Sequence, residues 1–380
     1  MESDVAVVGA GVIGAACAEA LSAEGLRVTV VDRADPACGT TAAGEGNVLL
    51  SDKEPGPELD LARASRSLWP ELVDRIGADV EWEDKGGIVV ATTDDGASAL
   101  HDFAATQRMS GVDAIPLTPG EARDREPLLT PRVTAAVHYP QDAQLQPVLA
   151  AVALLDAVRS RGGSVLAGHT ATGVTTRAGR ITGLRTSRGA ISAPVVVNAC
   201  GPWSAAFAEA AGAPIAILPR RGLILVTAPL PATVRHKVYD ADYVGAVASG
   251  DADLQTSTVV ESTRAGTVLI GSSRQRVGFD EAISVPVLRE LAAKAVALFP
   301  FLANVAAMRA YGGFRPYAPD HLPVIGEDPR LPGLWHATGH EGAGIGLAAA
   351  TGRLVTDLLM GRESAVDPTP FRPDRPGVAR

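Results

Sequence analysis

Short β-branched runs alternate with small-residue stretches along the first part of the chain. Val5 to Val8 is uniformly apolar and reads as a strand buried on both faces. Gly9-Ala10-Gly11-Val12-Ile13-Gly14 follows at once. A helical pattern then runs from Ala15 to Glu24 and stops at Gly25. A second apolar run, Val28 to Val31, ends in Asp32. Leu59 to Ile76 has helical spacing, and the stretch from Val80 to Thr93 reads as strands. Pro147 opens another helix, which Gly162-Gly163 closes. Short strands come next, with turns at Ala178-Gly179 and Arg188-Gly189, and then a buried strand, Val195 to Asn198.

The opening unit is a strand, a glycine turn, a helix and a second strand with a terminal acid. That is the βαβ fingerprint of a dinucleotide-binding fold. Gly9 permits the tight turn. Gly11 lets the backbone approach a pyrophosphate at the helix N-terminus, with Val12 and Ile13 in the first turn. Gly14 lets helix and strand pack closely. Asp32, 18 residues after Gly14, can accept hydrogen bonds from ribose hydroxyls, and Arg33 follows it. The fingerprint does not choose between FAD and NAD. The Gly-, Thr- and Ala-rich segment from Cys38 to Asp52 is poor core material. Thr40, Thr41, Gly44, Gly46 and Asn47 there can line an extended ligand with backbone amides and small side chains; a plain surface loop has the same composition.

The chain has 380 residues, enough for two or three domains. Its 40 glycines suit turns and close backbone approaches. A net charge of -9 argues against nucleic acid as a partner. Three widely spaced cysteines, Cys17, Cys38 and Cys200, form neither a disulfide framework nor a zinc motif. No metal site is expected, since His336 and His340 straddle a strand end and a glycine turn. No transmembrane segment or signal peptide is apparent, so the expected location is cytoplasmic. The Pro- and Arg-rich end, 366–380, is expected to be an extended, partly ordered tail.

Four segments then carry a resemblance across essentially the whole chain. They are VAVVGAGVIGAACAEALSAEGLRVTVVD, NACGPWS, GGFRPYAPDHLPVIG and GHEGAGIGLAAATG. Together they resemble the D-amino-acid oxidase superfamily of FAD-dependent oxidoreductases, in its glycine oxidase, sarcosine oxidase and D-hydroxyproline dehydrogenase branch. The resemblance implies an α/β fold. A discontinuous, Rossmann-like FAD-binding domain (1–80, 145–218 and 311–365) would carry an α+β substrate domain on a mostly antiparallel sheet (81–144 and 219–310). It implies FAD rather than NAD. With no cysteine after Cys200 to form the linkage of monomeric sarcosine oxidases, the FAD is expected to be non-covalent.

The implied reaction oxidises the C–N bond of a small amino acid or secondary amine, by hydride transfer to flavin N5, giving an imine. Candidate substrates are D-amino acids, proline-like compounds, glycine and sarcosine. Arg315 is implied as the carboxylate anchor, a role its planar fork suits. The late glycine loop, His340, Glu341, Gly342, Ala343, Gly344 and Ile345, is implied beside the flavin ring, where a helix N-terminus favours negative charge. Val174, Ala199, Gly201, Trp203 and Gly313 complete the implied cofactor contacts. His340 and Tyr243 are the other candidate catalytic residues. Tyr239 joins Tyr243 as a candidate pocket wall, although two strand residues packing in a sheet would look the same. A related reading makes the chain the catalytic subunit of an opine- or glycine-type dehydrogenase, passing electrons to a partner protein. A flavin scaffold without turnover and an NAD-linked hydroxy-acid dehydrogenase are further readings.

Overall fold

Val5–Val8 (β1) lies inside a six-stranded sheet, with elements numbered in chain order. The computed structural model describes residues 2–241 and 254–380. Val28–Val31 (β2) runs parallel to β1 on one side and Val195–Asn198 (β12) on the other. Every residue of β1 and β2 is buried, as strands covered on both faces require. Ser164–Leu166 (β8) pairs parallel with β2, Leu334–Thr338 (β19) parallel with β12, and Val324–Glu327 (β18) closes that edge antiparallel. Asn47–Val48 (β3) and Ala143–Gln144 (β7) form a small separate pair. Ala171–Arg177 (β9), Arg180–Thr186 (β10) and Gly189–Ser192 (β11) form the expected meander, with Ser204–Ala211 (α6) beside it.

The helices over the parallel sheet are Val12–Ala23 (α1), Pro57–Ile76 (α2), Pro147–Ser160 (α5) and Gly344–Leu359 (α8). α1 and α8 meet backbone to backbone: a Cβ at Gly352 would stand 2.5 Å from the Ala16 carbonyl oxygen. Trp69 of α2 is fully buried, and its indole N–H donates to the Ile345 and Gly346 carbonyls at 3.1 and 3.3 Å. That bond ties the first turn of α8 to the core. Cys17 is fully buried on α1, and burial pushes its thiol up to about 12.

An eight-stranded sheet forms the second layer. Its order is Ala307–Tyr317 (β17), Leu218–Thr227 (β13), Val268–Arg274 (β16), Gln255–Ser262 (β15), Lys237–Asp240 (β14), Gly87–Ala91 (β4), Ala135–Tyr139 (β6) and Ile115–Leu117 (β5). All neighbours are antiparallel except β4 and β14. Asp94–Met109 (α3), Pro119–Arg125 (α4) and Val285–Leu298 (α7) accompany it. Leu291, Ala295 and Leu298 of α7 pack on Leu223, Val260 and Ile270. The boundary expected at 311 cuts β17, which pairs with β13 over almost its whole length.

The end of the chain departs from the expected loose tail. Phe371 and Val378 are fully buried, and Ala379 bridges to Ile215. The Arg375 guanidinium forks onto Asp320 at 2.6 and 2.9 Å and also donates to the Leu322 carbonyl. Two buried apolar side chains spaced among the prolines anchor what composition alone suggests is free.

Candidate active site

The ends of β1, β2, β12 and β19 open onto a cavity of about 810 Å³ that the eight-stranded sheet covers. A crevice beyond the carboxyl ends of parallel strands is where open α/β sheets bind ligands. The glycine turn lies at its mouth. Gly9 has φ +112, and a Cβ there would collide with the Ala199 carbonyl. A Cβ on Gly14 would collide with the Gly9 carbonyl. Gly11 is the N-cap of α1 and has no side chain of its own to cap it; Gly11, Val12 and Ile13 all line the cavity, so the helix N-terminus faces it. Thr41 Oγ1 accepts from the Val12 amide at 3.0 Å, and Ile13 lines the wall beside it. Asp32 accepts from the Ala10 and Ala34 amides at 2.8 and 3.0 Å, and so braces the turn it faces.

At the Asp32 end, the Arg33 guanidinium lies 4.0 Å over the Trp203 ring, and Trp203 stacks on Phe279. Ala199 and Gly201 line this end with His169, Thr170 and Ala171. Val174, expected here, is buried instead among Ile181, Leu184 and Ala6, because its side of β9 faces the core. Along the middle, Thr40 Oγ1 donates to the Phe314 carbonyl at 2.7 Å. Gly44 and Asn47 line the cavity. Gly46 does not: its φ is +91, and a Cβ would strike the Leu145 carbonyl, so it serves the close pairing of β3 with β7. Gly313 lets the sheet approach Ala43, whose Cβ occupies the space a side chain would need.

At the far end, Arg315 lies over Gly222, where a Cβ would collide with the guanidinium, and its Nη1 donates to the Ser273 carbonyl at 2.9 Å. Gly342, Gly344 and Ile345 line the cavity at the N-terminus of α8, which no side chain caps. Ala343 turns away and packs against the core. His340 is buried, and burial alone pushes its imidazole down to about 3, so the ring is neutral. The Thr351 hydroxyl donates to the Leu347 carbonyl, so Thr351 Oγ1 accepts from His340 Nε2–H at 2.9 Å. His340 Nδ1 is then a bare acceptor, buried without a partner. Glu341 pairs with the fully buried Arg220 and accepts from His321 at 3.4 Å. Burial would raise its carboxyl, but the His321 bond and the charges of Arg220 and Arg274 outweigh it and hold the group at about 2.

Tyr243 lies outside the described residues. Tyr239 does not line the cavity; it is fully buried on β14 and donates to Ser51 Oγ. Sequence reasoning missed Arg309 and Tyr311, which share the cavity face of β17 with Gly313 and Arg315. Stepping back by two from Arg315 would have found both. Among the described residues, no group of three or more His, Cys, Asp or Glu could hold a metal ion. No helix among them is long and apolar enough to cross a membrane.

Two helix N-termini at the cavity, a braced acid after β2, glycines that vacate the walls and an orphaned imidazole nitrogen fit an extended dinucleotide with a flat ring. The fold and the site are those of a dinucleotide-binding protein. The family described as DAO, FAD dependent oxidoreductase, matches residues 4–358, and the chain belongs to it. It is 31% identical to a glycine oxidase of Geobacillus kaustophilus over 378 residues, covering 97% of this chain and 96% of the relative. It is 29% identical to the hydrogen cyanide synthase subunit HcnC of Pseudomonas aeruginosa, covering 97% and 95%. The crystal structure of glycine oxidase from Geobacillus kaustophilus superposes with a TM-score of 0.89 at 28% identity, covering 98% of this chain and 99% of that one. The protein is therefore an FAD-dependent oxidase or dehydrogenase of amino acids or amines.

Asp32→Ala removes the acceptor of two backbone amides and the carboxylate that lines the Arg33–Trp203 end of the cavity. Hydrogen bonds to a charged group contribute about 1.5–3 kcal/mol each, so FAD affinity should fall roughly 10- to 100-fold. Titrating apoprotein with FAD measures this; an unchanged Kd would remove Asp32 from the cofactor site.

Proposed function

We propose that the chain oxidises the C–N bond of a small α-amino acid, with a primary or secondary amine, and that Arg315 anchors the substrate carboxylate. The supporting observation is the place of Arg315: a half-buried guanidinium in the cavity wall, with the uncapped N-terminus of α8 lining the same cavity. Asp32 would hold the ribose hydroxyls of FAD, the N-terminus of α1 its diphosphate, and the segment from His340 to Ile345 its ring. When bound, FAD supplies the hydride acceptor that turns an amine into an imine.

The protein's own share is binding, orientation and exclusion of water. The Arg315 fork fixes the carboxylate and with it the direction of the α-carbon. Gly222 and Gly313 keep that wall thin. Ile224 and Tyr311 make it apolar, so charge pairing inside is stronger than in water. Neutral His340 offers an acceptor lone pair. Arg220 and His321 hold Glu341 in place at the start of α8.

A second reading draws on the likeness to HcnC, which is a subunit: electrons would leave to a partner protein instead of oxygen. One assay addresses both. FAD-loaded protein is offered glycine, sarcosine, both prolines, the 4-hydroxyprolines and D-amino acids, with oxygen uptake and dye reduction followed in parallel. Turnover of an α-amino acid supports the proposal. Dye reduction without oxygen uptake selects the second reading. No turnover with either acceptor contradicts both.

A further inference from the structure

Glu45 lines the same cavity and has no part in the reading above. It is 8% exposed, and its Oε1 has no hydrogen-bond partner. Its Oε2 accepts a single long bond, 3.3 Å from Asn47 Nδ2. No Lys, Arg or His among the described residues lies within the 4.0 Å of an ion pair. Gly271 of β16 makes room for this group, because a Cβ there would collide with Oε1. A buried carboxylate so poorly satisfied is costly unless a cation completes it.

The sheet places this carboxylate relative to Arg315. Leu225 of β13 pairs with Ile270 of β16, the residue before Gly271. Ile224 pairs in turn with Tyr311 of β17. Ile224 and Tyr311 both line the cavity. Consistent with this, the Tyr311 phenol is pushed up first by burial and next by the charge of Glu45. Two residues along β13 and β17, Gly222 pairs with Gly313, and the Arg315 guanidinium rests over Gly222. Same-face rows stand about 7 Å apart along a strand. A cation-binding and an anion-binding group therefore line the same cavity, one acting on Tyr311 and the other over the next row, as the two charged ends of an α-amino acid require.

We propose that Glu45 binds the ammonium of the substrate whose carboxylate Arg315 holds, so that the site selects zwitterionic α-amino acids over 2-hydroxy acids and simple carboxylates of the same shape. This rests on the function proposed above and adds the partner for the nitrogen. Glu45 fixes the amine end, Arg315 the acid end, and the α-carbon lies between them.

The test compares FAD-loaded wild type with Glu45→Gln, each checked for FAD content and thermal stability. Anaerobic stopped-flow reduction gives the Kd of the amino acid that turns over. Perturbation of the flavin spectrum gives the Kd of propionate, which has a methyl group where glycine has its ammonium. The expected result is an amino-acid Kd raised at least 10-fold in Glu45→Gln, with propionate binding unchanged or tighter. Equal changes for both ligands, or no change for the amino acid, would overturn the proposal. A Glu45→Gln chain that does not fold leaves the wild-type comparison: glycolate or propionate binding as tightly as the amino acid would overturn it, and binding at least 10-fold weaker supports it. Wild type that no amino acid reduces would overturn the proposed function and this inference together. Wild type reduced normally, with Glu45→Gln indistinguishable from it, would overturn this inference alone.

Discussion

Arg315→Leu is expected to retain FAD and lose most of its catalytic efficiency toward carboxylated amines. Truncating one partner of a buried, hydrogen-bonded charge pair costs about 2–5 kcal/mol, so kcat/KM should fall roughly 30- to 5,000-fold. Part of the loss should appear in kcat, because the carboxylate anchor also aims the α-carbon. Arg315→Lys keeps the charge and loses the planar fork, so it should fall between the two. Leucine also abandons the Ser273 carbonyl, but Gly222 and Gly313 leave that wall without competing side chains, and the fold should tolerate the change. Wild-type kinetics in Arg315→Leu would dismiss the anchor. Loss of FAD in the same variant would instead make Arg315 part of the cofactor cradle.

The second large effect concerns Gly14. A Cβ at this position would collide with the Gly9 carbonyl, and the backbone on both sides of that contact is held in place by β1, α1 and β12. Overpacking costs typically about 1–3 kcal/mol and occasionally more, and a collision with a fixed backbone carbonyl belongs at the upper end. Gly14→Ala is therefore expected to lower the melting temperature and to yield protein with little bound FAD, since α1 cannot move without carrying its N-terminus off the cavity. Gly25→Ala is the control. Gly25 has φ +82 but nothing within 4 Å, so alanine there pays only the left-handed backbone strain of about 1–2 kcal/mol. It should keep its FAD. Equal flavin content in Gly14→Ala and wild type would refute the packing argument.

The elements legible in the sequence are those whose signal is local. β1, α1, β2 and β12 follow from apolar runs and glycine punctuation, and the bounds of β2 and β12 match the apolar runs residue for residue. Asp32 and Arg315, each singled out in the sequence for its residue type, line opposite ends of the cavity. What escaped depends on pairing between distant segments. The parallel pairing of β4 with β14 joins residues 150 positions apart, Lys237 with Gly87, and no local pattern encodes it. Val174 and Tyr239 sit on strands whose composition suits either face, and only the partner sheet decides which face is core. Glu45 lay between two glycines already singled out, but its burial becomes visible only once Gly271 is brought across from β16. Phe371 and Val378 were hidden among prolines and charges that describe a tail well and its anchoring poorly.

The most direct test of the account is anaerobic mixing of the FAD-loaded protein with α-amino acids while the visible absorbance of the flavin is followed. The account predicts that at least one small α-amino acid bleaches the flavin completely, and that its 2-hydroxy analogue leaves it yellow. A protein that binds FAD and is bleached by a 2-hydroxy acid, but by no amine, would contradict it.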